Sequence, residues 1–248
     1  MQTILRYWCL ACALLLVAIS SGGISRAAAT EMQQTFRGVG LATALEIPVQ
    51  IESDAIVWVS VSQRSANYRV RVVDSTDQSL VKQVDLSAHK AVDDMVLIRP
   101  SECRDCLIYI EAEAKIDQHS PYLVVVNTLR VDSNSPAVQA EVTMLDAISK
   151  VGELNHRADQ ASDQENEALL RQAQTIVRSA LESTAFNQHT RHAEFLNLQL
   201  ANMLRDNDEV LALSESLITA HGDQHSMYKV QAIYEQARKL ESVEAQQA

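Results

Sequence analysis

No catalytic constellation can be assembled from this chain of 248 residues. Glycine is scarce, at six, and neither a Gly-rich phosphate loop nor a nucleophile elbow is present, which removes two large classes of chemistry. Basic residues are outnumbered, 21 Lys and Arg against 32 Asp and Glu. A surface of that sign repels phosphate backbones, so nucleic-acid binding is excluded. Beyond Thr30 no run is apolar enough to cross a membrane. What remains is a change of pattern between Val131 and Pro136, where strand-like alternation gives way to a period of three to four residues.

The first segment reads as an export leader. Arg6 supplies a positive start, Leu10 to Ile19 an apolar core, Ser20 to Ser25 a looser stretch, and Ala27-Ala28-Ala29 the small residues of a peptidase site. The apolar core is short for a bilayer-spanning helix. Residues 1–29 are therefore expected to be a signal peptide, cut after Ala29. Cys12 stands at the start of the apolar core rather than after it, which argues against lipid attachment. The mature chain is expected to be periplasmic or extracellular, with no stable membrane insertion. The leader takes Arg6 and Arg26 and no acid, so 19 bases then face 32 acids, a formal charge of −13.

Cleavage also removes Cys9 and Cys12 and leaves Cys103 and Cys106. In an oxidising compartment this pair is expected as a structural disulfide, fixing the local geometry of a short loop. Other readings compete. A zinc site needs about four ligands, and His89 or His119 would have to be brought in by folding. A thioredoxin-like pair needs its first cysteine at a helix N-terminus, yet Leu107-Ile108-Tyr109-Ile110 follows as a strand. A catalytic thiol needs a base, and no residue is marked as one.

Residues 30–132 read as an antiparallel β-sandwich. Leu45, Ile47, Val49 and Ile51 share one face, and Pro48 on the other suggests an edge strand or a bulge. Ile56 to Ser62 puts Val57, Val59 and Val61 on one side, with Ile56, Trp58 and Ser60 opposite. Tyr68 to Val72 alternates with its arginines outward. Leu80 to Leu86, Met95 to Ile98, Cys106 to Ala112 and Tyr122 to Val131 complete the series. Spacings of about ten to twelve residues, with turns such as Ser75-Thr76-Asp77, favour a sandwich over a parallel sheet.

The order EIPVQI…IVWVSVSQRSANYRVRVVDST…LVKQVDLS…DMVLIRPSECRDCLIYIEAEA…SPYLVVVNTLRV resembles the jelly-roll-type sandwich of bacterial pre-peptidase C-terminal domains. It is similar, more narrowly, to the N-terminal sandwich of exported proteobacterial proteins that continue into tetratricopeptide-like repeats and a caspase-like CHAT domain. The shared features are a valine-rich strand, a strand ending in Val-Asp and a late strand beginning near Tyr122. The residues up to Ala248 leave no room for a protease domain. The resemblance implies a binding or accessory role and transfers no catalytic residue.

Residues 135–248 read as an all-α domain of helical hairpins. Ser135 is placed to cap the first helix and Pro136 to occupy its first turn. Val138, Val142, Leu145, Ile148 and Val151 form its apolar stripe. Ser162 to Glu165 has a capping-box pattern ahead of a second helix through Leu169, Ala173, Ile176 and Ala180. A third carries Ala193, Leu196, Leu200 and Met203. A fourth, capped near Asn207, carries Val210, Leu213 and Leu217 and stops at Gly222. A fifth carries Met227, Val230, Tyr234 and Ala237. Helices starting near His189 and His225 lie close to the tetratricopeptide period, although Asn197 and Glu209 stand where small residues would be expected. An ordinary helical bundle remains the other reading.

The remaining polar groups suggest no sharper chemistry. His189 and His192 have a spacing that can place two imidazoles on one helix face, but without a third ligand they read as surface histidines. His221 and His225 are separated by Gly222. The acids of Asp159 to Glu167 read as a solvated helix start rather than a calcium loop. Trp58, Tyr68, Tyr109 and Tyr122 would suit a carbohydrate platform or, equally, a core. The expected function is that of an exported, non-catalytic protein–protein interaction or scaffold protein of the bacterial envelope, acidic and without cofactor or metal. The alternative is a glycan- or envelope-binding module acting through the sandwich.

Overall fold

The computed structural model describes residues 32–39, 44–62, 67–85, 93–112, 121–131, 135–221, 233, 234 and 236–238. The leader with its cleavage site, His89, His119, His225 and most of the fifth helix lie outside them. Eight strands are described: β1 (Met32–Val39), β2 (Leu45–Gln50), β3 (Ala55–Val61), β4 (Tyr68–Asp74), β5 (Leu80–Val84), β6 (Asp94–Ile98), β7 (Asp105–Ala112) and β8 (Pro121–Arg130). Four helices follow: α1 (Pro136–Ala158), α2 (Asp163–Ser183), α3 (Thr190–Met203) and α4 (Asn207–His221).

The strands form two antiparallel sheets, ordered β1-β8-β3-β6 and β2-β7-β4-β5. That order is a double Greek key, the jelly-roll arrangement. Inward residues of both sheets, among them Val57, Val59, Val96 and Val124 against Ile47, Val70, Val72 and Ile108, make one core. Their alternation along each strand fixes the register, because a slip of one residue would turn the valines to the other face. Pro48 sits on edge strand β2, as its position suggested.

β1 has no counterpart in the sequence reading, which starts its strands at Ala44. The reason is composition. Its inward set is Met32, Gln34, Phe36 and Gly38, too mixed to register as alternation, and its pairing with β8 is what makes it a strand.

The second core has residues from both halves of the chain. Ile56, Met95, Leu97 and Leu129, on the outer face of the first sheet, pack with Leu145, Ile148 and Val151 of α1 and onward into α2–α4. β3 and β6 are therefore buried on both faces, which is why Met95 to Ile98 reads as a continuous apolar run.

α1 also closes two strand edges. Ser62 N–H donates to the Leu123 carbonyl and Val131 N–H to the Asp54 carbonyl, so odd-numbered residues of β8 bond to β3. Antiparallel pairs alternate between bonded and non-bonded partners. Carried across the sheet, this parity turns the backbone of Leu97 in β6 away from β3. Its N–H donates to Ser149 Oγ of α1 at 3.1 Å, and its carbonyl accepts from Lys82 Nζ at 2.8 Å. On the other sheet, the outward carbonyl of Asp85, at the end of β5, accepts from Asn155 Nδ2 of α1 at 3.1 Å. Helix and strands approach closely at Gly152, where an added Cβ would lie 2.4 Å from Val84 Cγ1.

The helix starts follow local chemistry, with one correction. Ser135 Oγ accepts from Val138 N–H at 3.4 Å and Pro136 occupies the first turn. The capping box at Ser162 does not form. Ser162 makes no side-chain cap bond, and the turn is held instead by Asn166 Nδ2 donating to the Ala158 carbonyl. α4 is capped near Asn207, as expected, by Asp206, whose carboxylate accepts from Glu209 N–H at 3.1 Å.

Gly152→Ala tests the close approach. Helix propensity alone would gain about 1 kcal/mol, whereas overpacking against a fully buried Val84 costs about 2 kcal/mol. The expected outcome is a net loss, read as a lower urea midpoint with unchanged slope. A gain in stability would show that α1 can retreat from β5 at no cost.

Candidate functional site

The ionisable residues that invite a chemical reading gather where the helices meet the first sheet. Trp58 projects from β3 toward the helices, and the ring of His189, just before α3, meets it edge-on with centroids 5.1 Å apart. His189 Nε2 lies 3.4 Å from Glu141 Oε1 of α1, and the Gln188 amide donates to the same oxygen. Glu141 is 2% exposed and His192 3%. Both histidines are therefore interior, which corrects their reading as surface residues. The signal was absent from their spacing because Trp58 arrives from the other half of the chain.

Burial pushes the His192 imidazole down from 6.5 to about 3, and the neighbouring His189 adds to the effect. The cluster holds a carboxylate–imidazole pair, Glu141 with His189. Among the described residues, no group of three or more His, Cys, Asp or Glu is arranged to hold a metal ion. The chemistry it can do is cohesive: it ties α1 and the start of α3 to the sheet.

A second polar hub lies at the β5/β6 side. Lys82 is ion-paired with Glu102 at 2.9 Å and reaches Glu153 at 3.9 Å, while Arg99 pairs with Asp146 of α1. Burial raises the Glu153 carboxyl above its ordinary value, with Lys82 opposing. Cys103 lies in the turn between β6 and β7, and Cys106 is the second residue of β7. Their Sγ atoms lie at disulfide distance and their Cα atoms are 5.9 Å apart. Cys106 opens into strand β7, not a helix, so the geometry that activates a thioredoxin thiol is not formed.

The four aromatics proposed for a carbohydrate platform lie on different surfaces. Trp58 faces the helices, and Tyr68 is fully buried between the sheets. Tyr109 is on the outer face of the second sheet beneath Arg71, 5.3 Å from its guanidinium. Tyr122 lies against Gly38 of β1. They form no platform.

The sandwich does open at its β1/β2 side, as a cavity of about 530 Å³. Met32, Gln34 and Thr128 line it from one sheet, and Val49, Cys106 and Asp105 from the other. Its walls mix apolar side chains with neutral hydrogen-bonding groups and one carboxylate, Asp105, and no aromatic ring is among them. In the helical layer, Asn197 and Glu209 join a network rather than a small-residue crossing. Arg178 of α2 pairs with Glu209 and donates to Asn197, and Gln174 donates to Glu209. The acids Asp163 and Glu165 occupy the first turn of α2 and are exposed. No protein-family model matches the chain, and no curated protein matches it.

The His192 assignment has a pH signature. Its folded pKa is depressed, so between about 3 and 6.5 the unfolded chain binds the extra proton. Stability is then complete above pH 6.5 and declines as the pH falls. Urea midpoints at pH 7 and pH 4.5 should differ more in the wild type than in His192→Leu. Equal differences would mean that His192 is protonated in the folded state.

Proposed function

We propose that the chain is an exported, non-catalytic interaction or scaffold protein of the bacterial envelope, whose recognition surface is its helical layer of tetratricopeptide-like hairpins. One observation carries this reading. Among the described helices only α1 makes extensive contact with strands, while α2, α3 and α4 stack in order, each on the one before. Nearest-neighbour stacking is the organisation of helical-hairpin arrays, which bind partners along extended surfaces. The burial of Glu141, His189 and His192 supports a non-catalytic role, since these groups do not line the cavity at the β1/β2 opening. No described helix is long and apolar enough to cross a membrane.

Two measurements test it. In a bacterial host, the exported product should begin at Thr30 by mass spectrometry; an intact Met1 would replace the cleaved leader with an uncleaved N-terminal anchor. Exposed positions of the helical layer, Gln172→Arg and Glu215→Arg, should reduce capture of the envelope partner at least tenfold with unchanged circular dichroism. Equal capture by these variants, with loss in variants of the outer sheet residues Arg71 and Tyr109, would move recognition to the sandwich.

The cavity at the β1/β2 opening favours a second reading, in which the sandwich binds a glycan through Gln34, Thr128 and Asp105. Titration calorimetry with envelope oligosaccharides should then give a signal that Gln34→Leu abolishes. No heat with any oligosaccharide would retire this reading and leave the first untouched.

A further inference from the structure

The two sheets present four strand edges, and three of them are closed to another strand. α1 covers β6 and β5, through Ser149 on the Leu97 N–H and Asn155 on the Asp85 carbonyl. On the second sheet, Ser75 N–H donates to the Asp105 carbonyl and Ile51 N–H to the Arg104 carbonyl. By the same parity, Leu45, Ile47 and Val49 of β2 bond to β7, and Glu46, Pro48 and Gln50 face outward. Pro48 therefore stands where an outward N–H would be, blunting that edge at its centre without costing a ladder bond.

β1 has none of these devices. Odd residues of β8 bond to β3, so its even residues Tyr122, Val124, Val126 and Thr128 bond to Gly38, Phe36, Gln34 and Met32. The backbone N–H and C=O groups of Gln33, Thr35, Arg37 and Val39 consequently point away from the sheet. The strand contains no proline, no lysine and no acid. Gln33, Thr35 and Arg37 are also exposed on the face that α1 covers at β6, and none of the described helices packs against this strand. An unprotected edge of this length is a template for another strand.

We infer that β1 pairs antiparallel with β1 of a second copy of this chain, joining the two β1-β8-β3-β6 sheets across a two-fold axis. The argument for a second copy is the self-complementarity of the outward set. With Thr35 opposite Thr35 of the second copy, Gln33 falls opposite Arg37 and Gln34 opposite Phe36. The outward-pointing Gln33, Thr35 and Arg37 then meet one another, as bonded antiparallel pairs require. The only charge, Arg37, faces a neutral glutamine, and the central threonine pair is a favourable cross-strand contact. On a chain with a formal charge of −11, this acid-free strand lets two copies approach without opposing carboxylates. The shared interface is isologous and closes at two copies. It goes beyond the partner-binding role of the helices, because it uses the opposite edge of the first sheet.

The test is the mass of the purified full chain by light scattering across a concentration series. A rise from monomer to dimer mass is expected. Thr35→Pro removes one outward N–H and no bond to β8, so it should stay monomeric while keeping the wild-type circular dichroism and melting temperature. Thr35→Cys should cross-link to a dimer on mild oxidation, since bonded pairs place Cα atoms about 5.5 Å apart, whereas Glu46→Cys on β2 should not. A wild type that is monomeric throughout, with Thr35→Cys failing to cross-link, overturns the proposal. So does a dimer that survives Thr35→Pro, which would place the contact elsewhere. If Thr35→Pro does not fold, the cross-linking pair decides alone.

Discussion

The structure depends on one helix lying across the ends of two hydrogen-bonded ladders. α1 receives the outward N–H of β6 at Ser149 and supplies Asn155 to the carbonyl of Asp85 beside β5. Lys82 completes the seal from within, its ammonium between the Leu97 carbonyl and two glutamates. A buried backbone group without a partner costs about 1–3 kcal/mol, so these contacts make the helix part of the sandwich's own hydrogen-bond accounting. Gly152 sets the distance at which this works. From that docking follow the burial of β3 and β6 on both faces and the position of every later helix, since α2 stacks on α1 and α3 on α2.

The ionisable groups serve the same architecture. Glu141 and His189 join α1 to the segment entering α3 beneath Trp58, and Arg178 with Glu209 joins α2 to α4. On the outer face of the second sheet, Arg69 and Arg71 share the Glu111 carboxylate. Residues that in isolation suggest ligands or catalysts are thus engaged between layers.

Much of the sandwich was legible because burial of one face writes a period of two into the sequence. β2, β4 and β7 alternate for this reason, and Pro48 marked its strand as an edge. The helix beginning at Ser135-Pro136 was legible from capping chemistry. β1 was not, since Gln34 and Gly38 occupy half of its inward positions. The stripe read on α1, Val138 to Val151, is only part of its buried surface. Met144, Ala147 and Leu154 are buried as well, because strands and α2 enclose the helix from different sides. The polar contacts of Ser149 and Asn155, and the cluster around His189, depend on residues from the other half of the chain. Local periodicity carries no trace of them.

The pairing of β1 with β8 also constrains the order of events during synthesis. Met32 is hydrogen-bonded opposite Thr128, so the first strand to emerge waits for the last before its sheet can form. The residues that then seal the far edge, Ser149 and Asn155, come later still. Such non-local closure makes for slow folding, and until α1 is complete the chain carries unpaired strands. An exported version of this protein would therefore favour crossing the membrane unfolded, with its sheets assembling only after the helix that protects them has followed.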